Sequence, residues 1–326
     1  MRYSPSNILC ATDLSEQSNL ALFHGVALAK RYGARLTICH AIDVAPTAVQ
    51  EGLFAAVPVQ PAAIDEARAR AAAEICELLE GSTVSWGVRI IEGRAAVVIP
   101  MLAADLGADL VIATTHGRSG WKRALLGSVT GQLLHNLKTP LLTVPPKARC
   151  WKATHEDFAP QKIVLGCDFS PDSMQAVSHA AALAQEYQAE LHLVHVLEPS
   201  IYRMLESNIN ELVFRLEEAV RDSVGRRLLE LLPPEVSDWS RVVTAVLSGT
   251  AHAEILRHAE DVGADLIVVG VRGHKNLHDV LVGSTTDRII RRAPCPVLTL
   301  RKDVACLPSE VESRDGKVAI TGCIES

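Results

Sequence analysis

Three glycines in the C-terminal half of the chain are spaced in a way that suits phosphate binding. Gly270 and Gly273 follow an apolar run, and after nine more residues Gly283 opens a helical segment that starts with three hydroxyl side chains at 284–286. Glycine lets a ligand approach the backbone where a Cβ would collide, and it tolerates positive φ. The free N–H groups and the macrodipole of a helix start attract anions. The pattern therefore predicts a polyphosphate site.

Charged residues complete this predicted site. Arg272, His274 and Lys275 lie in the glycine loop, where they add positive charge to an anion cradle. Asp168 ends an earlier apolar run, and ligands of open α/β sheets lie beyond the carboxyl ends of the strands, where the strand order reverses. Its carboxylate suits a ribose hydroxyl or an adenine amine. We therefore expect a nucleotide with its sugar and base near the first two strands and its phosphates on the 270–286 loop.

The elements that position these residues occur twice in the chain. The segment 7–15 (NILCATDLS) aligns with 162–170 (KIVLGCDFS), and 107–113 (GADLVIA) aligns with 263–269 (GADLIVV), at offsets of about 155 and 156. The 326 residues therefore hold two copies of one domain. The predicted divisions are domain 1 at 1–146, a proline-bracketed linker at 147–160, domain 2 at 161–302 and a tail at 303–326.

Each copy alternates short β-branched runs with longer segments of helical period, which is typical of βαβ units around a parallel sheet. The crossover helices include segments at about 62–80 and 208–232. The predicted fold class is α/β, with two tandem, doubly wound domains of five strands each. The predicted strands are 7–12, 35–42, 83–91, 109–114 and 140–145 in copy one, and 162–167, 190–197, 241–248, 265–270 and 296–301 in copy two.

Composition excludes several classes of function. A net charge of −6 with 4% aromatic residues argues against a nucleic-acid partner. No apolar stretch approaches the ~20 residues that span a bilayer, and the first residues lack a signal sequence, so we expect a cytoplasmic protein without a membrane partner. The eight cysteines form no C-x-x-C pair and are expected to be reduced thiols. An alternative is a zinc site formed by His192, His195 and Cys167, but we expect no metal centre.

The glycine spacing, the aspartate after the first strand and the duplication together resemble the universal stress protein (Usp) superfamily, whose ATP-binding members carry G-x(2)-G-x(9)-G-[ST]. Gly270, Gly273 and Gly283-Ser284 fit that pattern completely. The resemblance covers about 5–145 and 160–301, as in a tandem-type Usp. It implies Rossmann-like (HUP/Usp) domains that form an internal pseudo-dimer through their final strands. Two copies of the whole chain could in addition form a homodimer.

The resemblance also implies a cofactor, ATP with Mg²⁺, and a set of binding residues. Asp168 would contact the nucleoside, and the backbone of Val196 would read the adenine. The expected nucleotide-binding residues are Asp168, Val196, Gly270, Arg272, Gly273, His274, Gly283, Ser284, Thr285 and Thr286.

Copy one departs from the pattern because Thr114 stands where the first glycine should be. Its side chain is expected to project into the space through which Gly270 lets the ligand approach. Copy one would then bind nucleotide weakly, bind it differently or serve as a structural half. The residues of this weaker site are Asp13, Ala41, Gly117, Gly127 and Ser128. A simpler interpretation of Asp13 and Asp168 is that they cap the helices that follow them.

Motifs of related catalysts are missing: the sequence has no G-x-x-x-x-G-K-[ST] and no G-x-G-x-x-G after a strand. No nucleophile or general base can be named. The first hypothesis is therefore an ATP-binding stress-response regulator with an unidentified protein partner. The alternatives are a slow ATPase or self-phosphorylating protein, with acceptors at Ser284, Thr285 or Thr286, and a scaffold for which nucleotide matters little.

Overall fold

The chain divides into two compact units, one of which takes in Pro5–Pro146 and the other Ala159–Lys302. We call them the N-terminal and the C-terminal domain. The structure is a computed structural model, and it describes residues 4–43, 61–115, 126–146, 148, 159–198, 210–233, 241–273 and 282–302.

The N-terminal domain is built on a parallel sheet with the strand order β3-β2-β1-β4-β5. Its central strands are buried, and β4 is buried at every position. The strand order reverses beside β1, which pairs with both β2 and β4. The elements are β1 Asn7–Thr12, α1 Glu16–Tyr32, β2 Arg35–Ile42, α2 Pro61–Leu78, β3 Trp86–Glu92, α3 Ala95–Asp105, β4 Leu110–Thr114, α4 Ser128–Asn136 and β5 Leu141–Val144.

The C-terminal domain repeats this arrangement with the strand order β8-β7-β6-β9-β10, again parallel. The order reverses beside β6, between β7 and β9. Its elements are β6 Lys162–Gly166, α5 Pro171–Tyr187, β7 Glu190–Leu197, α6 Asn210–Glu230, β8 Val242–Ser248, α7 Ala251–Val262, β9 Leu266–Gly270, α8 Ser284–Arg292 and β10 Val297–Leu300.

These findings confirm the predicted fold class of two α/β domains, each with a five-stranded parallel sheet. The predicted third strand at 83–91 begins later, at Trp86. The predicted helices at 62–80 and 208–232 run from Pro61 to Leu78 and from Asn210 to Glu230. Apart from positions 148, 159 and 160, the predicted linker and tail lie outside the described residues.

The repeated G-A-D sequence has a structural role at the start of each sheet. The Oδ2 atom of Asp109 accepts hydrogen bonds from the backbone N–H groups of Ser6 and Asn7, at 2.7 and 2.8 Å. Asp265 does the same for Gln161 and Lys162. Burial raises the pKa of the Asp109 carboxyl, but these hydrogen bonds outweigh it and hold that pKa below its ordinary value. Each aspartate therefore holds the start of the first strand of its domain beside the start of the fourth.

None of the described helices combines the length and the apolar character that crossing a membrane would take.

A buried histidine in α1 makes the stability of the N-terminal domain depend on pH. His24 is fully buried, and its Nδ1–H donates to the carbonyl oxygen of Leu20 at 2.7 Å. Burial lowers its pKa from 6.5 to about 4, although the hydrogen bond opposes this shift. The unfolded chain therefore takes up the proton at a higher pH than the folded domain does. The contribution of the neutral His24 ring to the free energy of unfolding is fully present above about pH 6.5 and is lost as the pH falls toward 4.

We predict that His24→Leu reduces the acid sensitivity of this domain. At pH 5 the wild type should have lost about 2 kcal/mol through His24, at about 1.4 kcal/mol for each pH unit below its ordinary pKa. The measurement is urea unfolding of both proteins at pH 7.5 and pH 5, followed through the N-terminal transition. Equal losses in the variant and the wild type would contradict the assignment.

Candidate functional site

A cavity of about 300 Å³ opens at the carboxyl ends of β6, β7 and β9, where the strand order of the C-terminal domain reverses. The first turns of α7 and α8 close its other side. Two helix N-termini thus point at one space, which makes the space attractive to an anion. The cavity is lined by Gly166, Cys167, Asp168, Ser173, Val194, His195, Val196, Glu198, Ala251, Ile255, Val269, Gly270, Arg272, Gly273, Gly283, Ser284, Thr285 and Thr286.

Nine of the ten expected residues line this cavity; the tenth, His274, lies outside the described residues together with Lys275. The other half of the lining residues was not predicted from the sequence. Val194 precedes Val196 by two positions and so shares its face of β7, a signal that strand alternation could have provided. Ala251 and Ile255 are one turn apart in α7, and the rule that ligands lie at the topological switch point could have drawn attention to that helix.

A tight turn directs Asp168 to the mouth of the cavity. Its Oδ1 accepts the backbone N–H of Ser170 at 3.0 Å, and between them Phe169 has the left-handed φ of 63°. A phenylalanine in this conformation is strained by about 1–3 kcal/mol. Its ring lies 5.1 Å from the His195 ring and 4.2 Å below the guanidinium of Arg227. These contacts hold the turn that exposes the Asp168 carboxylate.

The interpretation of the two aspartates as helix caps is wrong. Ser170 is the N-cap of α5, with its hydroxyl accepting from the N–H of Ser173, and Ser15 caps α1 in the same way. Asp168 and Asp13 lie two residues earlier and instead accept from the N–H of these caps. In each domain the repeated turn places its aspartate in the lining of the cavity.

The glycines of the loop are required by close approach and not by backbone twist, because none of the three has a positive φ. A Cβ on Gly273 would lie 2.6 Å from Oδ2 of Asp168. A Cβ on Gly283 would lie 3.3 Å from the carbonyl oxygen of Val271. A side chain at position 273 would therefore shift the Asp168 carboxylate from its place.

Gly270 lies against the first turn of α5. A Cβ at position 270 would meet the N atom of Ser173 at 2.7 Å and the carbonyl carbon of Asp172 at 2.8 Å, so it would point into the first turn of α5. The packing of α5 therefore leaves no room for a Cβ at position 270, although Gly270 itself lines the cavity. In the N-terminal domain Thr114 occupies this position as a buried residue that also lines that domain's cavity.

Arg272 has a different role from the one that the sequence suggested. Its Nε donates to Oδ2 of Asp172 and its Nη2 to Oδ1, both at 3.0 Å, and its backbone N–H also donates to Oδ2 at 3.0 Å. Lys302 adds a fourth hydrogen bond from its backbone N–H to Oδ1, at 2.9 Å. Asp172 is only 2% exposed. The guanidinium therefore neutralises a buried carboxylate before it can serve a ligand.

Thr286 also serves the protein itself. Its hydroxyl donates to the carbonyl oxygen of Gly270 at 2.7 Å, and Thr130 makes the same bond to Thr114 in the other domain. This bond fixes the start of α8 at the end of β9. Ser284 and Thr285 thus stay as the hydroxyls of the helix start that face the ligand space.

Burial raises the pKa of the Cys167 thiol, and the nearby Asp168 carboxylate adds to the effect. The thiol is therefore protonated at neutral pH and is unsuited to act as a nucleophile.

The alternative zinc set does not form. His195 donates from Nδ1 to the carbonyl oxygen of Cys167 at 2.7 Å, whereas His192 lies with its Nδ1 3.1 Å from Nε2 of His258. Across the parts of the chain that the structure describes, no group of three or more His, Cys, Asp or Glu side chains could hold a metal ion.

The N-terminal domain has a smaller cavity of about 220 Å³ at the equivalent place. Asp13, Ala41, Gly127 and Ser128 line it, and Gly117 lies outside the described residues. Val129 stands here where the C-terminal domain has Thr285, so one hydroxyl of the helix start is lost.

Comparison with known proteins identifies the fold family. The sequence model of the universal stress protein family matches residues 5–145 and again 160–301. The chain therefore belongs to the universal stress protein family and carries two of its domains in tandem, which confirms the resemblance.

Individual relatives match either one domain or both. A universal stress protein of Methanocaldococcus jannaschii is 33% identical over 143 residues, which is 44% of this chain and 82% of that protein. One of Mycolicibacterium smegmatis is 27% identical over 309 residues, covering 90% of this chain and 96% of its own. The crystal structure of a universal stress protein from Archaeoglobus fulgidus shares the fold, with a TM-score of 0.61 at 23% identity, and covers 92% of this chain and 99% of its own.

We predict that Asp172→Ala destabilises the C-terminal domain by about 3–5 kcal/mol, because it leaves the half-buried Arg272 without its carboxylate. Denaturant unfolding of the full chain measures the loss. The double variant Asp172→Ala/Arg272→Met should lose much less. Gln17 is the exposed counterpart of Asp172 in the N-terminal domain, and Gln17→Ala should change stability by less than about 0.5 kcal/mol. A loss below about 1 kcal/mol for Asp172→Ala would disprove the role of this ion pair.

We further predict that Gly270→Thr destabilises the domain by about 1–3 kcal/mol or more, because its Cβ overlaps the backbone of α5. The reciprocal change Thr114→Gly creates no overlap and serves as the matched control. Thermal unfolding followed by circular dichroism compares the two. A Gly270→Thr variant that melts like the wild type would show that α5 yields freely.

Proposed function

We propose that the C-terminal domain binds an adenine nucleotide, with ATP as the ligand, and that the protein acts as a nucleotide-responsive regulator. The observation that carries this proposal is the convergence of Asp168, the three glycines and the start of α8 on one cavity at the topological switch point. Each feature suits a different part of a nucleotide. The family membership of the chain agrees with this function.

The base and sugar belong at the β6 and β7 end of the cavity. The backbone of Val196 offers hydrogen-bonding groups at the end of a strand, and Ile255 and Val194 provide apolar walls for the adenine plane. The exposed carboxylate of Asp168 accepts hydrogen bonds from ribose hydroxyls. Because residue 273 is a glycine, the loop backbone can lie close to Oδ2 of Asp168, where a Cβ would lie only 2.6 Å away.

The phosphates belong at the α8 end. The backbone N–H groups at the start of α8 and the hydroxyls of Ser284 and Thr285 form an anion cradle that needs no net positive charge on the protein. This suits a chain whose net charge is −6. Mg²⁺ would neutralise part of the phosphate charge when bound.

A regulatory role is preferred to catalysis because of the chemistry of the cavity. The Cys167 thiol is held in its protonated form, and the hydroxyl of Thr286 is engaged with Gly270. Nucleotide binding is then the function of the site. The N-terminal cavity, with Val129 in place of Thr285, is the weaker site.

We predict that Asp168→Asn weakens ATP binding about ten- to a hundredfold, the usual effect of losing a charged hydrogen-bond acceptor. Asparagine keeps the Oδ1 that accepts from Ser170, so the turn should stay folded. Isothermal titration of the full chain with ATP and Mg²⁺ measures the effect, with Asp13→Asn in the other domain as the matched control. Gly273→Ala should act like Asp168→Asn, because its methyl group displaces the same carboxylate.

Absence of saturable binding by the wild type at high micromolar ATP would disprove the proposal. Equal effects of Asp168→Asn and Asp13→Asn would refute the assignment of the stronger site to the C-terminal domain. Intact-mass analysis after incubation with ATP tests self-phosphorylation in the same samples, and an unchanged mass is expected.

A further inference from the structure

The exposed face of α8 carries arginines that continue away from the proposed phosphate site. Ser284 lines the cavity, and Arg288 and Arg292 follow at intervals of four residues, so the three share one face of the helix. All three are exposed, whereas Ile289 and Ile290 on the opposite face are buried in the core. The cavity rim at Ser284 therefore continues directly into a basic stripe, which consists of Arg288 and Arg292.

The direction of helical side chains brings Arg288 back toward the cavity. The Cα–Cβ bonds of a helix tilt toward its N-terminus, so a long side chain covers the turn that precedes its own Cα. For Arg288 that turn begins at Ser284. The pKa of His252, in the first turn of α7, is lowered by burial and then by the charges of Arg288 and Arg292. The arginine charge thus extends to the helix whose Ala251 lines the cavity.

Neighbouring arginines are already engaged with carboxylates. Arg272 is bound by Asp172, and Arg291 donates to both carboxylate oxygens of Asp287 at 2.7 and 2.9 Å. Among the described residues, the ion pairs of this region involve Arg272 and Arg291, and none involves Arg288. Within the described part of the domain, Arg288 is therefore an arginine beside the rim whose charge no carboxylate neutralises.

The duplicated domain shows that the fold does not require this arginine. Gln132 occupies the position of Arg288 in α4, and Ala96 occupies that of His252 in α3. The helices α4 and α8 both form with the same threonine anchor, which is Thr130 in α4 and Thr286 in α8. The positive charge at this rim is thus specific to the domain that has the complete glycine pattern.

We propose that Arg288 determines the preference of the site for phosphate-chain length, by binding the terminal phosphates of a nucleoside triphosphate whose α-phosphate lies at the start of α8. This inference rests on the proposed function and goes beyond it. The guanidinium provides a bidentate, permanently charged donor for phosphate oxygens, and AMP has no phosphate that reaches it. The C-terminal site consequently favours ATP over AMP, and the N-terminal site, with Gln132, has no such preference.

The test compares the affinities of ATP, ADP and AMP for the wild type and for Arg288→Gln, which copies the residue of the N-terminal domain. Isothermal titration of the full chain should show ATP binding weakened about ten- to a hundredfold and AMP binding unchanged. The salt dependence of ATP binding should also become shallower. Arg288→Lys should keep part of the preference for ATP, because lysine retains the charge but not the planar fork.

The matched control is Arg241→Gln. Arg241 is an exposed arginine just before β8, at the amino end of that strand, whereas the cavity lies at the carboxyl ends of the strands. Its substitution removes the same charge from the same domain. It should leave all three affinities unchanged. Because Arg288 is exposed, the melting temperature of Arg288→Gln should match that of the wild type.

The outcomes separate this inference from the proposed function. If the wild type binds none of the three nucleotides, both are wrong. If the wild type binds them and Arg288→Gln weakens ATP and AMP equally, or weakens neither, nucleotide binding stands and the role of Arg288 is refuted. Equal effects of Arg241→Gln and Arg288→Gln would show that only the net charge of the domain matters.

Discussion

The candidate site of this protein depends on one buried carboxylate. Asp172 accepts hydrogen bonds from the backbone and the guanidinium of Arg272 and from the backbone N–H of Lys302. A charge this deeply buried is tolerated only when it is paired and fully hydrogen-bonded. Satisfying it ties the first turn of α5 to the chain segments that follow β9 and β10. Since Ser173, Gly270 and Arg272 all line the cavity, these bonds also determine its shape.

The glycines of the loop are best understood from the same packing. Gly270 is in contact with the backbone of α5, and Gly273 is in contact with the carboxylate of Asp168. Backbone strain lies elsewhere, in the left-handed Phe169 that turns Asp168 toward the cavity. The glycine spacing therefore reflects contacts within the protein as well as access for a ligand.

The duplication separates what the fold needs from what the proposed chemistry needs. Both domains keep the aspartate that fixes the first strand and the threonine that anchors the last helix. Only the C-terminal domain has Asp172, Thr285 and Arg288, where the N-terminal domain has Gln17, Val129 and Gln132. Asp172 belongs to the packing of its own domain. Thr285 and Arg288 are not required by the architecture, which is why we relate them to the ligand.

The sequence by itself determined the fold class, the duplication and nearly every strand, because the hydrophobic period is a local signal that appears in both copies. It also located Asp168 and the start of α8 correctly at one end of a sheet. Only the tertiary structure decided which side chains face the ligand space. Arg272 is bound by Asp172 across 100 residues, and the backbone of α5 packs against Gly270, which also lines the cavity. Contacts between such distant residues decide where side chains point, and spacing along the chain carries no record of them.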